Sequence, residues 1–300
     1  SFPGKRALGG ALAAWHAKRQ RTDLVYARSL YTAYFATLAG LPCVIESHTP
    51  IADTGKLSDR VFRTLIKSSA LRRLVVITES LKRYYCERYD IPEQMVQVAP
   101  DAADDMAAAE PLELESDRMS VGYVGHLYPG KGMEIIGELS GRCPWADFHC
   151  VGGTEEDIRH WKRELAERDN VIFHGFVRPN EVPRYCRTFD VLVAPYLRNI
   201  SAYDGAGSNL AHWTSPLKLF EYMSAAKPIV CSDLPVLREV MTDDHNALLC
   251  DPDRIDTWVR ALERLRDDTE LGTRLARSAR GEFEQKYTWE ARARAVVAGL

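Results

Sequence analysis

Between residues 119 and 250, short apolar runs alternate with stretches of helical periodicity. Short apolar runs are typical of strands buried on both faces, and strands that alternate with helices form a parallel sheet covered on both sides. We therefore predict a doubly wound α/β unit. Its predicted strands are 119–124, 146–151, 170–174, 190–194, 228–231 and 246–250, and its predicted helices are 132–140, 155–167, 179–188, 215–226 and 234–241.

The first hundred residues show the same alternation in fewer steps. Strand-like runs occur at Asp23–Arg28, Cys43–Ser47, Leu74–Thr78 and 96–98, with helical stretches at 1–20, 30–39, 57–70 and 80–89. An acidic, alanine-rich stretch without aromatic residues follows, which is typical of a linker. The predicted domains are an N-terminal Rossmann-like domain at 1–105, a linker at 106–117, a C-terminal Rossmann-like domain at 118–287 and a closing helix at 288–300.

Composition excludes several classes of protein. The 300 residues are 46% hydrophobic and 27% charged, as in soluble globular chains, and no apolar run reaches the ~18 residues of a membrane span. Seven cysteines without a C-x-x-C pair and eight histidines without H-E-x-x-H favour reduced core thiols in the cytoplasm and no zinc site. Residues 1–100 hold 15 basic and 8 acidic side chains, whereas the remainder holds 24 and 34. This asymmetry suggests an anionic surface or acceptor facing the first domain, and we expect no nucleic acid partner.

The stretch at 214–235 predicts a helix followed by a buried strand. Ser215 is a good N-cap and Pro216 suits the first helical position. The amides of Leu217 and Lys218 would then lie unbonded at the positive end of the helix, where phosphate binds readily. Glu221 points away from the apolar face; it is either a solvated glutamate or a carboxylate for the ribose of a nucleotide.

A glycine-rich loop connects the first predicted strand and helix of this half. Gly125 to Lys131 fits G-x-x-x-x-G-K, the pattern of a phosphate-binding loop. Gly132, however, stands where a P-loop NTPase has the Ser or Thr that holds Mg²⁺, and we find no convincing partner acid. A P-loop NTPase is therefore disfavoured.

Five segments follow one another along the chain in the order found in one known family. These segments are VGYVGHLYPGKGMEII, FHCVGGTEED with NVIFHGFV, DVLVAPY, SPLKLFEYMSAAKPIV and the closing KYTWEARARAVVAGL. They are similar to segments of the retaining glycosyltransferases of family 4. The resemblance covers residues 120–300 and is looser before them. It implies the GT-B fold, in which two Rossmann-like domains face a cleft. Because nothing here matches the family's opening strand and glycine loop, the N-terminal domain is expected to be incomplete.

The resemblance also implies roles for individual residues. The glycine turn at Gly125 would let the backbone approach the donor, and Lys131 would neutralise the diphosphate leaving group. His126 stands where the family usually has an arginine, which weakens the cationic clamp. Backbone atoms near Val177 would lie against the base, and Glu221 matches the second acid of the family's E-x7-E motif. The donor-binding set is Gly125, His126, Lys131, Val177, Ser215, Leu217, Lys218 and Glu221.

Two further positions concern the transferred sugar. His48 ends a predicted strand where the family keeps a histidine near the sugar, although a structural histidine is an alternative. Glu46 either is structural or supports His48. The first acid of the E-x7-E motif is replaced by Trp213, so sugar recognition does not carry over. Asp204, Ser208 and Asn209 are substitutes in the loop 197–213.

The resulting hypothesis is transfer of a hexose-type unit from a UDP- or GDP-linked donor to a sugar, lipid-linked or small-molecule acceptor. Catalytic roles fall to His48, Lys131 and Glu221. Retention follows from the resemblance only, and no cofactor or metal is expected, since Asp251 and Asp253 are better explained as a helix cap. The alternatives are a sugar-nucleotide epimerase on the same fold and a non-catalytic nucleotide-sugar-binding protein.

One helix carries a basic face. Arg60, Arg63 and Lys67 lie largely opposite the apolar residues of the same stretch. Such a helix either contacts an anionic membrane peripherally or packs with a solvated outer face. The first alternative predicts a cytoplasmic protein with peripheral contact at the inner face of the membrane.

Overall fold

The computed structural model describes residues 3–198 and 215–300, which form two α/β units. The first comprises residues up to 100 and the segment 293–300, and the second comprises most of 101–292. Both contain a parallel sheet, so the predicted α/β class with two Rossmann-like units is confirmed.

The first unit contains a four-stranded parallel sheet in the order β1-β2-β3-β4. Each predicted strand is present, although β3 begins earlier than expected, and the third predicted helix is shorter than 57–70 because a turn must precede β3. The strands are β1 Val25–Ala27, β2 Cys43–Ser47, β3 Leu71–Val76 and β4 Val96–Val98, and the helices are α1 Pro3–Arg19, α2 Leu30–Leu38, α3 Lys56–Leu65 and α4 Glu79–Tyr89. The core lies between sheet and helices and includes Ile45, Phe62, Leu74 and Tyr85.

The second unit contains a six-stranded parallel sheet in the order β10-β9-β8-β5-β6-β7. In this order β6 and β7 lie on one side of β5, and β8, β9 and β10 lie on its other side. The strands are β5 Met119–Val124, β6 Ala146–Val151, β7 Val171–Gly175, β8 Val191–Ala194, β9 Ile229–Ser232 and β10 Leu248–Cys250. The helices are α5 Met133–Arg142, α6 Glu155–Glu164, α7 Val182–Thr188, α8 Leu217–Ser224, α9 Ile255–Asp267 and α10 Thr269–Glu282, and α11 is Trp289–Val297.

Two further sequence predictions differ from this architecture. The predicted helix 234–241 is only a single turn of 3₁₀ helix at Leu237–Glu239. The segment 106–117, for which composition predicts a linker, groups with the second unit, where Met106 is buried in the core. Its amide donates to Ser224 Oγ over 2.9 Å.

All seven cysteines are free thiols; six are buried and Cys86 is half-buried. Within the described ranges, no helix combines the length and the apolar character needed to cross a bilayer.

Candidate functional site

The order of the second sheet fixes where a ligand can bind. β5 and β8 are neighbours, and the chain leaves them in opposite directions. Because the loops at such a switch point diverge, they leave a crevice at the carboxyl ends of the strands. Gly125 follows β5 at this point, and Tyr196 follows β8.

Two glycines bring bare backbone to this edge. Gly125 has φ +148° and Gly152, at the end of β6, has φ +111°, both of which L side chains rarely adopt. A Cβ on Gly152 would come within 2.4 Å of the Gly125 carbonyl oxygen. The Gly125 amide donates to the Val151 carbonyl over 2.9 Å. The two turns therefore pack without side chains between them.

A third glycine excludes the P-loop alternative on structural grounds. Gly132 has φ +109°, and a Cβ there would lie 2.3 Å from the Pro195 carbonyl oxygen. A Ser or Thr at this position would overlap with the backbone after β8. The loop at 125–132 therefore packs against its neighbour where a P-loop would bind Mg²⁺.

Helix α8 is fixed to the same edge by a buried tyrosine. The Tyr222 hydroxyl accepts from the Val124 amide over 2.9 Å and lies 3.4 Å from the Val193 carbonyl, to which it donates. Burial raises the pKa of Tyr222 well above its usual value, so the hydroxyl stays protonated. The ends of β5 and β8 thereby hold α8 at this edge of the sheet.

The start of α8 differs by two residues from the prediction. The helix begins at Leu217, its N-cap is Pro216, and no side chain caps it. Ser215 is therefore not the N-cap; it is buried and groups with the first unit. The amides of Leu217 and Lys218 remain in the first turn, as expected.

A cavity of about 580 Å³ lies within the second unit at this edge, a size suited to small ligands. It brings together five of the predicted donor residues, namely Gly125, His126, Val177, Leu217 and Glu221. Lys131, Lys218 and Ser215 are not among the residues that line it.

Further residues line the cavity. Gly152, Gly153 and Trp289 are among them, although sequence reasoning did not name them as donor-binding residues. Phe176 lines it as well, and it belongs to the turn with Val177 that the resemblance places against the base. Phe176 is 78% exposed and Trp289 is 48% exposed. The paired glycines of the segment FHCVGGTEED were a usable signal, whereas nothing in the sequence singled out Trp289.

Glu221 is half-buried and faces this cavity. Burial raises the pKa of its carboxyl above the usual value, while Lys218 opposes this shift and Asp104 adds to it. It is therefore not a fully solvated helix glutamate. A desolvated carboxylate at this depth is a strong hydrogen-bond acceptor for hydroxyl groups.

Lys131 lies beside two tyrosines. Its Nζ is 5.4 Å from the centre of the Tyr128 ring and 5.5 Å from that of Tyr196. Burial lowers the pKa of its ammonium group. A partly desolvated cation interacts more strongly with an anion than an exposed lysine does. The His126 ring lies 5.4 Å from the Tyr128 ring, and His126 itself is exposed.

His48 lies in the first unit, at the end of β2. Its Nδ1 is 3.1 Å from Nη2 of Arg28, and its Nε2 hydrogen-bonds the buried Glu46 carboxylate. Glu46 therefore orients His48, as one of the two interpretations predicted. A separate cavity of about 460 Å³ in this unit is lined by both residues.

Two other predicted features have definite positions. Asp251 and Asp253 do not cap α9, whose N-cap is Arg254 without a side-chain bond; both pair instead with Arg198. The basic helix ends at Leu65, so Lys67 lies beyond it, and Arg63 is paired with Asp59 over 3.0 Å. Trp213, Asp204, Ser208 and Asn209 lie outside the described residues.

Comparison with known proteins decides the family. The family model described as "Glycosyl transferases group 1" matches residues 118–268, which is half of the chain and most of the second unit. The chain belongs to this group 1 glycosyltransferase family.

Curated relatives of this group 1 glycosyltransferase agree with that assignment. TuaH of Bacillus subtilis (strain 168), described as a candidate teichuronic acid biosynthesis glycosyltransferase, is 34% identical over 117 residues, or 38% of this chain and 27% of TuaH. The 2-deoxystreptamine glucosyltransferase of Streptomyces kanamyceticus is 23% identical over 260 residues, or 78% of this chain and 63% of the relative. The chain spans less than two thirds of the length of both.

Solved structures match the group 1 glycosyltransferase across both units. A glycosyltransferase from Rickettsia africae superposes with a TM-score of 0.76 at 15% identity, covering 99% of this chain and 81% of that one. Anabaena HepE in complex with UDP superposes with a TM-score of 0.72 at 16% identity, covering 96% and 80%. At these identities the match shows the fold, and it agrees with the predicted GT-B class.

Proposed function

We propose that this group 1 glycosyltransferase moves a sugar from a nucleoside diphosphate sugar to an acceptor. The observation that carries the proposal is the cavity at the switch point, where bare glycine backbone, the first turn of α8 and the Glu221 carboxylate meet. The solved structures of HepE with UDP and with UDP-glucose support it, because they show what a protein of this fold binds.

The proposal gives each part of a nucleotide its own group. The base lies near Val177, between the exposed rings of Phe176 and Trp289, and the ribose hydroxyls donate to Glu221. The diphosphate meets the amides of Leu217 and Lys218 together with the Lys131 ammonium group. Amides at a helix start carry partial positive charge and bind phosphate without a metal ion.

Catalysis in this proposal is stabilisation of the departing diphosphate. Negative charge grows on the leaving oxygen as the bond to the sugar breaks, and Lys131 and the helix amides interact with that charge more strongly than with the intact donor. His48, oriented by Glu46, donates a hydrogen bond to a hydroxyl group of the transferred sugar. We further infer family 4 chemistry, with retention at the anomeric carbon and no need for a divalent metal or a cofactor.

The acceptor is proposed to be a sugar or a lipid-linked sugar. A UDP-Gal:alpha-D-GlcNAc-diphosphoundecaprenol alpha-1,3-galactosyltransferase of Escherichia coli is 21% identical to this chain over 282 residues. A lipid-linked acceptor would accompany a cytoplasmic location with peripheral membrane contact, for which the basic face of α3 is the candidate.

A calorimetric titration with UDP and GDP, each with and without EDTA, tests donor binding. We expect one of the two to bind with an affinity that EDTA leaves unchanged. An assay of sugar release and transfer from the matching donor then tests the reaction. Absence of binding by both nucleotides would refute the proposal, and binding that requires Mg²⁺ would refute its metal-independent form.

A further inference from the structure

The side chain of Lys218 lies in an unusual environment. It is the second residue of α8, and its Nζ lies 3.6 Å from the centre of the Tyr123 ring and 5.2 Å from that of Tyr196. This nitrogen is buried, and no atom of the described residues accepts a hydrogen bond from it. A buried amine without an acceptor is costly, so its retention calls for a partner that binds there.

The surroundings of Lys218 contain a second cation and few anions. Lys131 Nζ lies near the same Tyr196 ring, at 5.5 Å from its centre. Burial lowers the pKa of Lys218 well below its usual value, and Lys131 lowers it further. The groups that act on it in the opposite direction are Glu221 and the buried thiols Cys150 and Cys186. Two neighbouring ammonium groups with a single carboxylate leave the neighbourhood short of negative charge.

Lys218 Nζ also lies against the glycine turn of the cavity. A Cβ on Gly125 would come within 3.1 Å of it. Gly125 lines the cavity. The ammonium group thus lies against the glycine turn that a diphosphate would approach, and Lys218 belongs to the first turn of the helix whose amides are proposed to bind the diphosphate.

We propose that the Lys218 side chain is a second diphosphate-binding cation of this enzyme, beside Lys131. The inference rests on the proposed function and adds a residue to it. In the free protein, burial and Lys131 both disfavour the charged form of the amine. A bound diphosphate favours that form, so binding draws protons from the buffer to Nζ, and the ammonium group donates to a phosphate oxygen.

The test is calorimetry with UDP and uridine, or with GDP and guanosine if GDP is the nucleotide that binds. Lys218→Met should weaken nucleotide binding by about 10–100-fold, the range of a charge-assisted hydrogen bond, and leave nucleoside binding nearly unchanged. Lys227→Met is the matched control, since Lys227 also lies in the second unit and burial lowers its pKa, but its side chain lines a different cavity together with Asp190. It should leave both affinities unchanged.

Proton uptake gives a second readout. Titrations in two buffers of different ionisation enthalpy should show wild-type protein taking up protons on binding the nucleotide, and Lys218→Met taking up fewer. Lys218→Arg, whose side chain stays charged, should retain affinity better than the methionine variant and also take up fewer protons.

The outcomes separate the inference from the function on which it rests. If Lys218→Met weakens nucleoside and nucleotide equally, or if wild-type protein takes up no proton, the inference is wrong and nucleotide binding stands. If wild-type protein binds no nucleoside diphosphate, the proposed function fails together with the inference. Nucleoside binding by Lys218→Met confirms that the variant is folded.

Discussion

Replacing Gly152 with alanine should disrupt the site with limited damage to the fold. The new Cβ would lie 2.4 Å from the Gly125 carbonyl oxygen, where an ordinary contact is at least 3.4 Å. One of the two turns must therefore move by about 1 Å, the size of overlap that makes overpacking costly. Gly125 lines the cavity, so the displacement reaches the surface that the nucleotide contacts.

The magnitude follows from two contributions. An L side chain at positive φ costs about 1–2 kcal/mol, and overpacking a tight contact costs about 1–3 kcal/mol. The Gly152→Ala variant should therefore lose roughly 2–5 kcal/mol of unfolding free energy, less than the ~5–15 kcal/mol of a typical domain. We expect a folded protein whose affinity for the nucleotide is at least about tenfold weaker, since ~1.4 kcal/mol already has that effect.

The assay combines chemical denaturation with calorimetric titration of the nucleotide. Gly40→Ala is the matched control: Gly40 has φ +76°, and nothing lies within 4 Å of the position of its Cβ. It should lose about 1–2 kcal/mol of stability from backbone strain and retain full affinity. Unchanged affinity in Gly152→Ala would refute the idea that the contact between the two turns shapes the site.

Three further predictions concern individual side chains. Lys131→Met should weaken nucleoside diphosphate binding about 10–100-fold and nucleoside binding little; equal losses by calorimetry would contradict its contact with phosphate. Glu221→Gln should weaken nucleoside and nucleotide alike, and in wild-type protein both affinities should fall as pH decreases through the raised pKa of Glu221. The folded protein binds the proton of the Glu221 carboxyl group more tightly than the unfolded chain does, so wild-type stability falls as pH rises through the same range. Glu221→Gln should therefore have the higher melting temperature at neutral pH. If the basic face of α3 contacts membranes, changing Arg60 and Arg63 to Gln should reduce co-sedimentation with anionic vesicles, each residue contributing ~1 kcal/mol, and unchanged sedimentation would leave only a packed helix.

The sequence specified the sheet of the second unit well because its strands are buried on both faces. Each strand stands out as an apolar run between helical stretches, as at Val191–Ala194 and Ile229–Ser232. The helix predicted at 234–241 was wrong because the apolar residues of this segment fit helical periodicity, whereas the chain forms a 3₁₀ turn beside irregular backbone. Here the order of apolar residues does not distinguish one helical turn from three.

The site was predictable where a residue acts through its place on one element. Gly125 was predicted from its place in a glycine-rich turn and Glu221 from its place on a helix face, and both line the cavity. The contact between Gly125 and Gly152 was not predictable, because it depends on the register between β5 and β6. The burial of Lys218 depends on rings from two other segments, so helical phase alone could not reveal it.

The last eight residues of the chain belong to the first unit, and this has a consequence for biosynthesis. Arg73 donates to the carbonyls of Val296 and Ala298 across 223 and 225 residues of sequence, and Gln97 donates to that of Ala295. At ~5–20 residues per second, the ribosome reaches these acceptors roughly 10–40 s after it has made β4. During that interval the donors of Arg73 and Gln97 lack these partners while the whole second unit emerges. The first unit therefore receives these partners only after the second unit has been made.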